Sequence, residues 1–303
     1  MDFRDLISSA RAKFAGFNPP GHEEALSQLQ ILHGFLPEDV QTLYRDHDGS
    51  DRLPAADGMR LVARLMPIAE AIKTNNTMRT IDFAKVGAVV WLWTDDNSNY
   101  CGIYTDGLLR GWLCVLDHEE PMLAPAFRSV ASFSSRLLAA AINNGERRAC
   151  DIPSLPREIP ETIADSENLE KDRELCSRFR QVYKDEVQKD MRRLFGFCSI
   201  CLTPVEDTKK VMAFFEEVDM WTPEAAVRLL EVRRWRGEVE EIERLASNGS
   251  PNGDGAAMRL LARMNTDQSR RAITLLKQKL QGQKLKMLEM WTERKLPLQP
   301  PRW

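Results

Sequence analysis

The sequence predicts an α+β protein in which a mixed or antiparallel sheet flanked by helices is followed by an all-α domain. Three observations support this fold class. Short segments rich in Val, Ile, Trp and Tyr lie between residues 88 and 116, and turn residues separate them. A proline-rich connector follows at residues 146–165. Beyond it, apolar residues recur at helical spacing and no strand pattern occurs.

The N-terminal domain, residues 1–145, begins with an amphipathic helix that mixes acidic, basic and apolar side chains. A second helix is predicted over Pro37–Asp46, because proline suits the first helical position and the apolar residues share one face. The pair Asp48-Gly49 then allows the chain to reverse. Residues Leu61–Ile72 carry another apolar helical face, although the beginning of this run is equally compatible with a strand.

The next part of the domain is predicted to form a three-strand meander. Its strands are Ala88–Trp93, Tyr100–Tyr104 and Trp112–Leu116, and polar turn sequences separate them. A closing helix follows, with either Ser129 or Ser132 as the residue that caps its first turn.

The second domain, residues 166–295, is predicted to contain helices alone. One long helix carries an apolar stripe over Leu175–Leu194, which we expect to pack on later helices and to bury Trp221 and Trp235. Threonine-proline pairs open helices over residues 205–220 and 223–235. A loop at residues 247–255 precedes two further helical runs that end near Gly282 and Lys295. Residues 296–303 are expected to form an extended tail.

Charge and composition restrict the class of protein. The formal net charge is -3, and residues 1–155 carry 15 basic and 20 acidic side chains, so the second part is slightly basic. The N-terminus lacks the apolar core of a secretory signal, and the longest apolar run, Val86–Trp93, is far shorter than the ~20 residues that span a bilayer. Six scattered cysteines are typical of reduced thiols. We therefore expect a cytoplasmic protein that neither enters a membrane nor binds nucleic acid directly.

The sequence contains no strong motif for catalysis, metal binding or nucleotide binding. The Cys198–Cys201 pair has the C-x-x-C spacing but no second ligand pair, which favours buried thiols at a helix end over a zinc site. The sequence contains neither a nucleophile elbow nor a phosphate loop. The run Arg233–Arg236 mixes basic and aromatic residues, and we interpret it as a solvated helix face. The sequence therefore predicts no enzyme, no metal and no cofactor.

A longer pattern in the N-terminal domain resembles a known family. The string FLPEDVQTLYRDHDGSD, at Phe35–Asp51, resembles the Leu-Pro helix with an Asp-Gly exit that marks the SUKH superfamily, which includes fungal cell-wall synthesis regulators and bacterial immunity proteins. The elements that follow this motif in the family, in the same order, are similar to Gly58–Ile72, Val86–Leu116 and Ser132-Phe133. The resemblance covers about residues 20–142 and implies a SUKH-like domain that acts by binding.

The function that the resemblance implies is immunity. In that role the protein binds a protein toxin in the cytosol and neutralises it by occluding its active site. Two other functions remain open. One is a non-enzymatic scaffold or regulatory adaptor that joins two protein partners through its two domains. The other is a hydrolase that uses the clustered acids of the first domain.

The charge distribution predicts which residues bind the partner. The acids of the first domain fall in loops at element ends, where a rigid sheet usually presents its recognition groups. A toxin that acts on nucleic acid, such as a nuclease, carries a basic active-site groove that an acidic surface complements. The predicted partner-binding residues are Asp46, Asp48, Asp51, Asp95, Asp96, Asp117, Glu119 and Glu120.

Overall fold

A computed structural model describes residues 3–13, 17–50, 63–81, 83–119, 122–143, 152–159 and 166–293. The chain divides into two compact units between Ile159 and Pro160, inside the predicted connector. All described strands belong to the first unit, and the described part of the second unit is helical, which confirms the α+β class. No helix in these ranges is both long enough and apolar enough to cross a membrane.

The first unit contains five strands and five α-helices within its described residues. They are α1 (Phe3–Lys13), α2 (Glu23–His33), α3 (Glu38–Asp46), β1 (Arg64–Leu65), α4 (Ile68–Met78), β2 (Val89–Thr94), β3 (Tyr100–Tyr104), β4 (Leu113–Leu116), β5 (Pro125–Phe127) and α5 (Val130–Asn143). A 3₁₀ turn, Ile152–Ser154, follows α5.

The five strands form one antiparallel sheet in the order β1-β2-β3-β4-β5, so the predicted meander is confirmed and lies at its centre. Strands β3 and β4 are buried along almost their whole length, because both faces of the sheet are covered. Strand β1 lies at the beginning of the run Leu61–Ile72, where the sequence was equally compatible with a strand. Strand β5 was not predicted, since three residues are too few to show an alternating pattern.

Pro37 stands one position earlier than predicted, because its backbone is extended and α3 begins at Glu38. Pro67 likewise precedes α4, so the helical part of the run Leu61–Ile72 begins only at Ile68. Asp48 caps α4 although it lies 20 residues before the start of this helix, because its Oδ1 accepts a hydrogen bond of 2.7 Å from the N–H of Ile68.

Ser129, and not Ser132, caps the first turn of α5. The Ser129 hydroxyl accepts a hydrogen bond from the N–H of Ser132, and its carbonyl accepts one from the N–H of Phe133. Ser132 lies inside the helix. Phe133 is fully buried, with its ring centroid 5.0 Å from that of Trp93, so the helix covers one face of the sheet.

The second unit contains seven α-helices and one long 3₁₀ helix within its described residues. They are α6 (Ser166–Asp185), α7 (Lys189–Cys201), the 3₁₀ helix Val205–Glu216, α8 (Trp221–Val232), α9 (Val239–Asn248), α10 (Gly253–Met264), α11 (Asp267–Lys279) and α12 (Gly282–Glu293).

The prediction of one long helix over Leu175–Leu194 was wrong. The chain turns between α6 and α7, where the Glu186 carboxylate accepts a hydrogen bond of 2.8 Å from the N–H of Gln188. Val187 occupies the turn and is 91% exposed, although its spacing matches the apolar stripe. Trp221 and Trp235 are half-buried, whereas we expected both to be buried.

Other helix boundaries in this unit also differ from the expectation. The segment after Pro204 is a 3₁₀ helix that ends at Glu216, and α8 begins at Trp221. Asp219, not Thr222, caps α8, because its Oδ1 accepts hydrogen bonds from the first two helical N–H groups. The loop at residues 247–255 shrinks to residues 249–252, and α9 was not predicted. Three helices follow that loop instead of two, because Thr266 forms a capping box that starts α11.

The basic run after α8 is a turn and not a solvated helix face. Arg233 is largely buried, and its guanidinium donates hydrogen bonds to the carbonyls of Thr203 and Pro204 and to the Thr208 hydroxyl. Burial lowers the pKa of Arg233 from its usual value. The thiols of Cys198 and Cys201 are buried in the last turn of α7, as predicted. The five cysteines other than Cys150, which lies outside the described residues, form no disulfide with one another.

The core of the first unit continues beyond α5. Ile152, Leu155 and Ile159 are at most 3% exposed, and the N–H of Ile159 donates a 3.0 Å hydrogen bond to the Ala126 carbonyl in β5. Glu158 also pairs with Arg128, at 3.0 Å. The sequence analysis ended the first domain at residue 145, and these contacts extend the first unit to Ile159.

We expect a fragment of residues 1–159 to unfold in one cooperative urea transition. For a fragment of residues 1–144, the free energy of unfolding should be lower by at least about 3 kcal/mol. This fragment loses three buried apolar side chains that contribute about 1.5–3 kcal/mol each. Circular dichroism against urea concentration measures both free energies of unfolding. Equal midpoints for the two fragments would show that the segment after α5 is not part of this core.

Candidate functional site

Several of the predicted acids meet at one end of the sheet. Strand β3 pairs with both its neighbours there, since Tyr100 lies opposite Thr94 of β2 and opposite Leu116 of β4. The turn that follows β2 and the segment that follows β4 are therefore adjacent. Asp95 and Asp96 belong to the first, and Asp117 and Glu119 belong to the second.

Asp95 organises the turn between β2 and β3. Its Oδ1 accepts hydrogen bonds from the N–H groups of Asn97 and Asn99, and its Oδ2 accepts one from the Asn99 side chain. Oδ2 also accepts a 3.1 Å bond from the N–H of Ile152. Asp96 and Ser98 have left-handed backbones, with φ of 62° and 61°. Asp95 is thus a structural residue of this turn.

Asn99 joins the two acidic segments. It is fully buried, and its Oδ1 accepts a 3.0 Å hydrogen bond from the backbone N–H of His118. The ring Nδ1 of His118 lies 2.8 Å from the same oxygen. Asp117 is 8% exposed, and its Oδ1 accepts a bond from the N–H of Glu119. The relative positions of the acids on the two segments are therefore fixed by hydrogen bonds.

Arg64, at the start of β1, pairs with two of the acids near this end of the sheet. Its guanidinium donates to both carboxylate oxygens of Glu70 at 2.8 Å and to those of Asp96 at 2.6–3.1 Å. It also donates to the carbonyl of Ser50. The Arg64 side chain is 6% exposed, whereas Glu70 and Asp96 are 37% and 38% exposed. One buried cation thus supports two carboxylates that stay in contact with solvent.

The excess of negative charge affects the neighbouring titratable groups. The pKa of Tyr100 is raised, first by burial and then by the charges of Glu70, Asp95 and Asp96. The pKa of Arg64 is raised, chiefly by its hydrogen bond with Glu70, with burial acting against this and Asp96 adding to it. We call the set Arg64, Glu70, Asp95, Asp96, Asp117 and Glu119 the acidic sheet end.

The remaining predicted acids lie elsewhere. Asp48 caps α4, and Asp46 lies 3.0 Å from the ring Nδ1 of His47. Neither forms a hydrogen bond with the acidic sheet end among the described residues. Asp51 and Glu120 lie outside the described residues. Glu70 and Arg64 were missed by the sequence reasoning, although a single arginine inside the apolar run LVARLMPIA is a signal for a buried ion pair.

A second feature of the first unit is an apolar cavity beneath α1. It has a volume of about 80 Å³, and Leu6 of α1, Trp93 of β2 and Leu138 of α5 contribute to its walls. His47 also lines it, with its ring 4.7 Å from that of Phe17. Sites for small molecules usually enclose about 300 Å³ or more, so this cavity is a packing gap beneath a helix.

The chemistry open to the acidic sheet end is the binding of cations. Solvent-exposed carboxylate oxygens accept hydrogen bonds from arginine and lysine side chains. Within the ranges that the structure covers, no group of three or more His, Cys, Asp or Glu residues is arranged to hold a metal ion. Comparison of the sequence with models of known protein families gives no match, and comparison with curated proteins gives none either. The resemblance at Phe35–Asp51 therefore stays a prediction.

Proposed function

We propose that this protein is a cytoplasmic immunity protein whose first unit is a SUKH-like domain. The acidic sheet end binds the basic active-site groove of a protein toxin, such as a nuclease, and occludes it. The observation that carries this proposal is that acids from the segments after β2 and β4 lie at one end of the sheet, where Asp96 also shares the buried Arg64 with Glu70.

The charge balance of this surface supports a basic partner. The acidic sheet end contains five carboxylates and one guanidinium, and Asp96 and Glu119 are exposed. A nuclease groove must be basic because it holds phosphate groups. Opposite potentials on two surfaces accelerate their encounter and also disfavour partners of the wrong charge.

The rigidity of the surface supports tight binding. The side chains of Asp95 and Asn99 form hydrogen bonds that fix both acidic segments before any partner arrives. A preorganised surface loses little conformational entropy when it binds. An inhibitor that must keep the substrate of a toxin out of its active site benefits from such preorganisation.

The test uses substitutions that leave the turn intact. Asp95 is unsuitable because it holds the turn together, so we select Glu119→Lys, combined with Asp96→Asn, which keeps a side chain that tolerates a left-handed backbone. Glu24→Lys, on the exposed side of α2, is the control for the charge reversal at Glu119.

The expected result is loss of protection. The unaltered chain and the Glu24→Lys control should protect a sensitive cell that expresses the toxin encoded beside this gene. The double variant should associate with that toxin about tenfold more slowly at low salt, with a difference that shrinks as salt rises. Stopped-flow association at two salt concentrations measures this. Failure of the unaltered chain to protect would count against immunity and favour the adaptor function.

A further inference from the structure

The turn between α8 and α9 borders a cavity in the second unit. The cavity has a volume of about 340 Å³, within the usual range for small-ligand sites. Arg234, Trp235 and Arg236 line it from the turn. Leu260, Arg263 and Met264 line it from α10. We call this cavity the arginine pocket.

The arginine pocket carries a positive charge in a chain that is negative as a whole. The one carboxylate in its wall, Glu231, already accepts hydrogen bonds of 2.9 and 2.7 Å from Arg259 and lies 3.9 Å from Arg263. In the part of the chain that the structure describes, the guanidinium groups of Arg234 and Arg236 have neither a hydrogen bond nor an ion pair. The guanidinium groups of Arg234 and Arg236 can therefore bind an anion from solution.

The backbone at Arg234 is of a kind that usually takes glycine. The N–H of Arg234 donates to the carbonyl of Glu231 and that of Trp235 to the carbonyl of Leu230, which together form the Schellman ending of α8. Arg234 occupies its left-handed position, with φ of 50°. A side chain with a Cβ is disfavoured there, and such residues often accompany ligand sites.

A second group in the turn also lacks a partner. The indole Nε1 of Trp235 is buried and donates to no acceptor among the described residues. A buried donor without an acceptor is costly, and an oxygen of a bound ligand would satisfy it. The pocket thus offers guanidinium groups for an anion and the half-buried ring of Trp235, with the buried side chains of Leu260 and Met264 behind it.

We propose that the arginine pocket binds a nucleoside monophosphate, or a phosphate monoester of similar size. Arg234, Arg236 and Arg263 hold the phosphate, because planar guanidinium groups match phosphate oxygens in geometry and charge. The nucleoside part lies against the half-buried ring of Trp235. This site belongs to the second unit and does not depend on the function proposed for the first.

The binding test uses the full chain and six probes. Isothermal titration with the four common nucleoside monophosphates should give a dissociation constant below 1 mM for at least one of them, an affinity typical of small-ligand sites. Inorganic phosphate and the matching nucleoside should each bind at least tenfold more weakly. Phosphate that binds as well as the nucleotide would overturn the role of the Trp235 ring. A nucleoside that binds equally well would overturn the role of the arginines, and absence of binding by all six probes would overturn the site.

Two glycine variants separate binding from folding. Arg234→Gly should raise the melting temperature, because glycine suits the left-handed position, and should weaken nucleotide binding at least tenfold. Glu238→Gly is the matched control, since Glu238 has φ of 53° and does not line the pocket. It should also raise the melting temperature but leave the affinity unchanged. Arg234→Gly with unaltered affinity would contradict the proposal, and so would equal losses of affinity in both variants.

Discussion

Gly49→Ala is expected to destabilise the first unit by about 3 kcal/mol or more. Gly49 has φ of +66°, where a Cβ costs about 1–2 kcal/mol. An added Cβ would also overlap the Leu65 carbonyl oxygen and lie 2.8 Å from backbone atoms of Met66 and Pro67. Backbone atoms cannot rotate away as a flexible side chain can, so overpacking adds about 1–3 kcal/mol. Urea denaturation followed by circular dichroism measures the change.

Gly34→Ala provides the control for this prediction. Gly34 ends α2 with φ of +71°, the same backbone region, but nothing lies within 4 Å of the position that a Cβ would take. The substitution should therefore cost only about 1–2 kcal/mol for the unfavourable backbone. The difference between the two variants isolates the close approach of the Asp48-Gly49 turn to β1. Equal losses of stability would indicate that this approach is unimportant.

Asn75→Ala is expected to cost about 3–5 kcal/mol. Asn75 lies in α4, is 1% exposed, and spans the gap to β2. Its Oδ1 accepts a 2.8 Å hydrogen bond from the N–H of Trp91, and its Nδ2 donates to the carbonyl of Trp91 at the same distance. Alanine leaves both backbone groups buried without partners, and each such group costs about 1–3 kcal/mol. Urea denaturation measures the loss, and hydrogen exchange should become faster at the Trp91 amide.

The neighbouring Asn76 gives a matched comparison. It is exposed on the same helix, so Asn76→Ala removes an identical side chain without uncovering a buried group. Alanine is also the better helix former, and the stability should stay the same or rise by a few tenths of a kcal/mol. If both variants lost the same free energy of unfolding, the hydrogen bonds between the Asn75 amide and the backbone of Trp91 would contribute little to stability.

Parts of the fold with a strong local pattern could be predicted from the sequence. The central meander was found because three aromatic and β-branched segments are separated by polar turns. Strand β1 could not be separated from a helix by its pattern, because Arg64 and Leu65 are too short a segment and precede a helical run. The turn between α6 and α7 was missed because Val187 continues the apolar spacing while lying in solvent.

The acidic sheet end was predictable only in part. Acids in the turns after β2 and β4 were identified from their positions, and strand pairing places them at one end. Their structural roles were not visible, since Asp95 binds the backbone of Ile152, which is 57 positions away. The pairing of Arg64 with Asp96 likewise joins residues 32 positions apart. Charge pairing over such distances is set by tertiary structure and leaves little local pattern.

The order of strands in the sheet also bears on how quickly the first unit folds. Each strand pairs with its neighbours in sequence, so the paired residues Thr94 and Tyr100 are close along the chain, and Leu113 and Phe127 are only moderately separated. Low contact order of this kind favours rapid folding, since little loop entropy is lost before a contact forms. Leu65 and Trp93 enclose the longest span between adjacent strands. We therefore expect the sheet to nucleate at β2–β3 and to add β1 last.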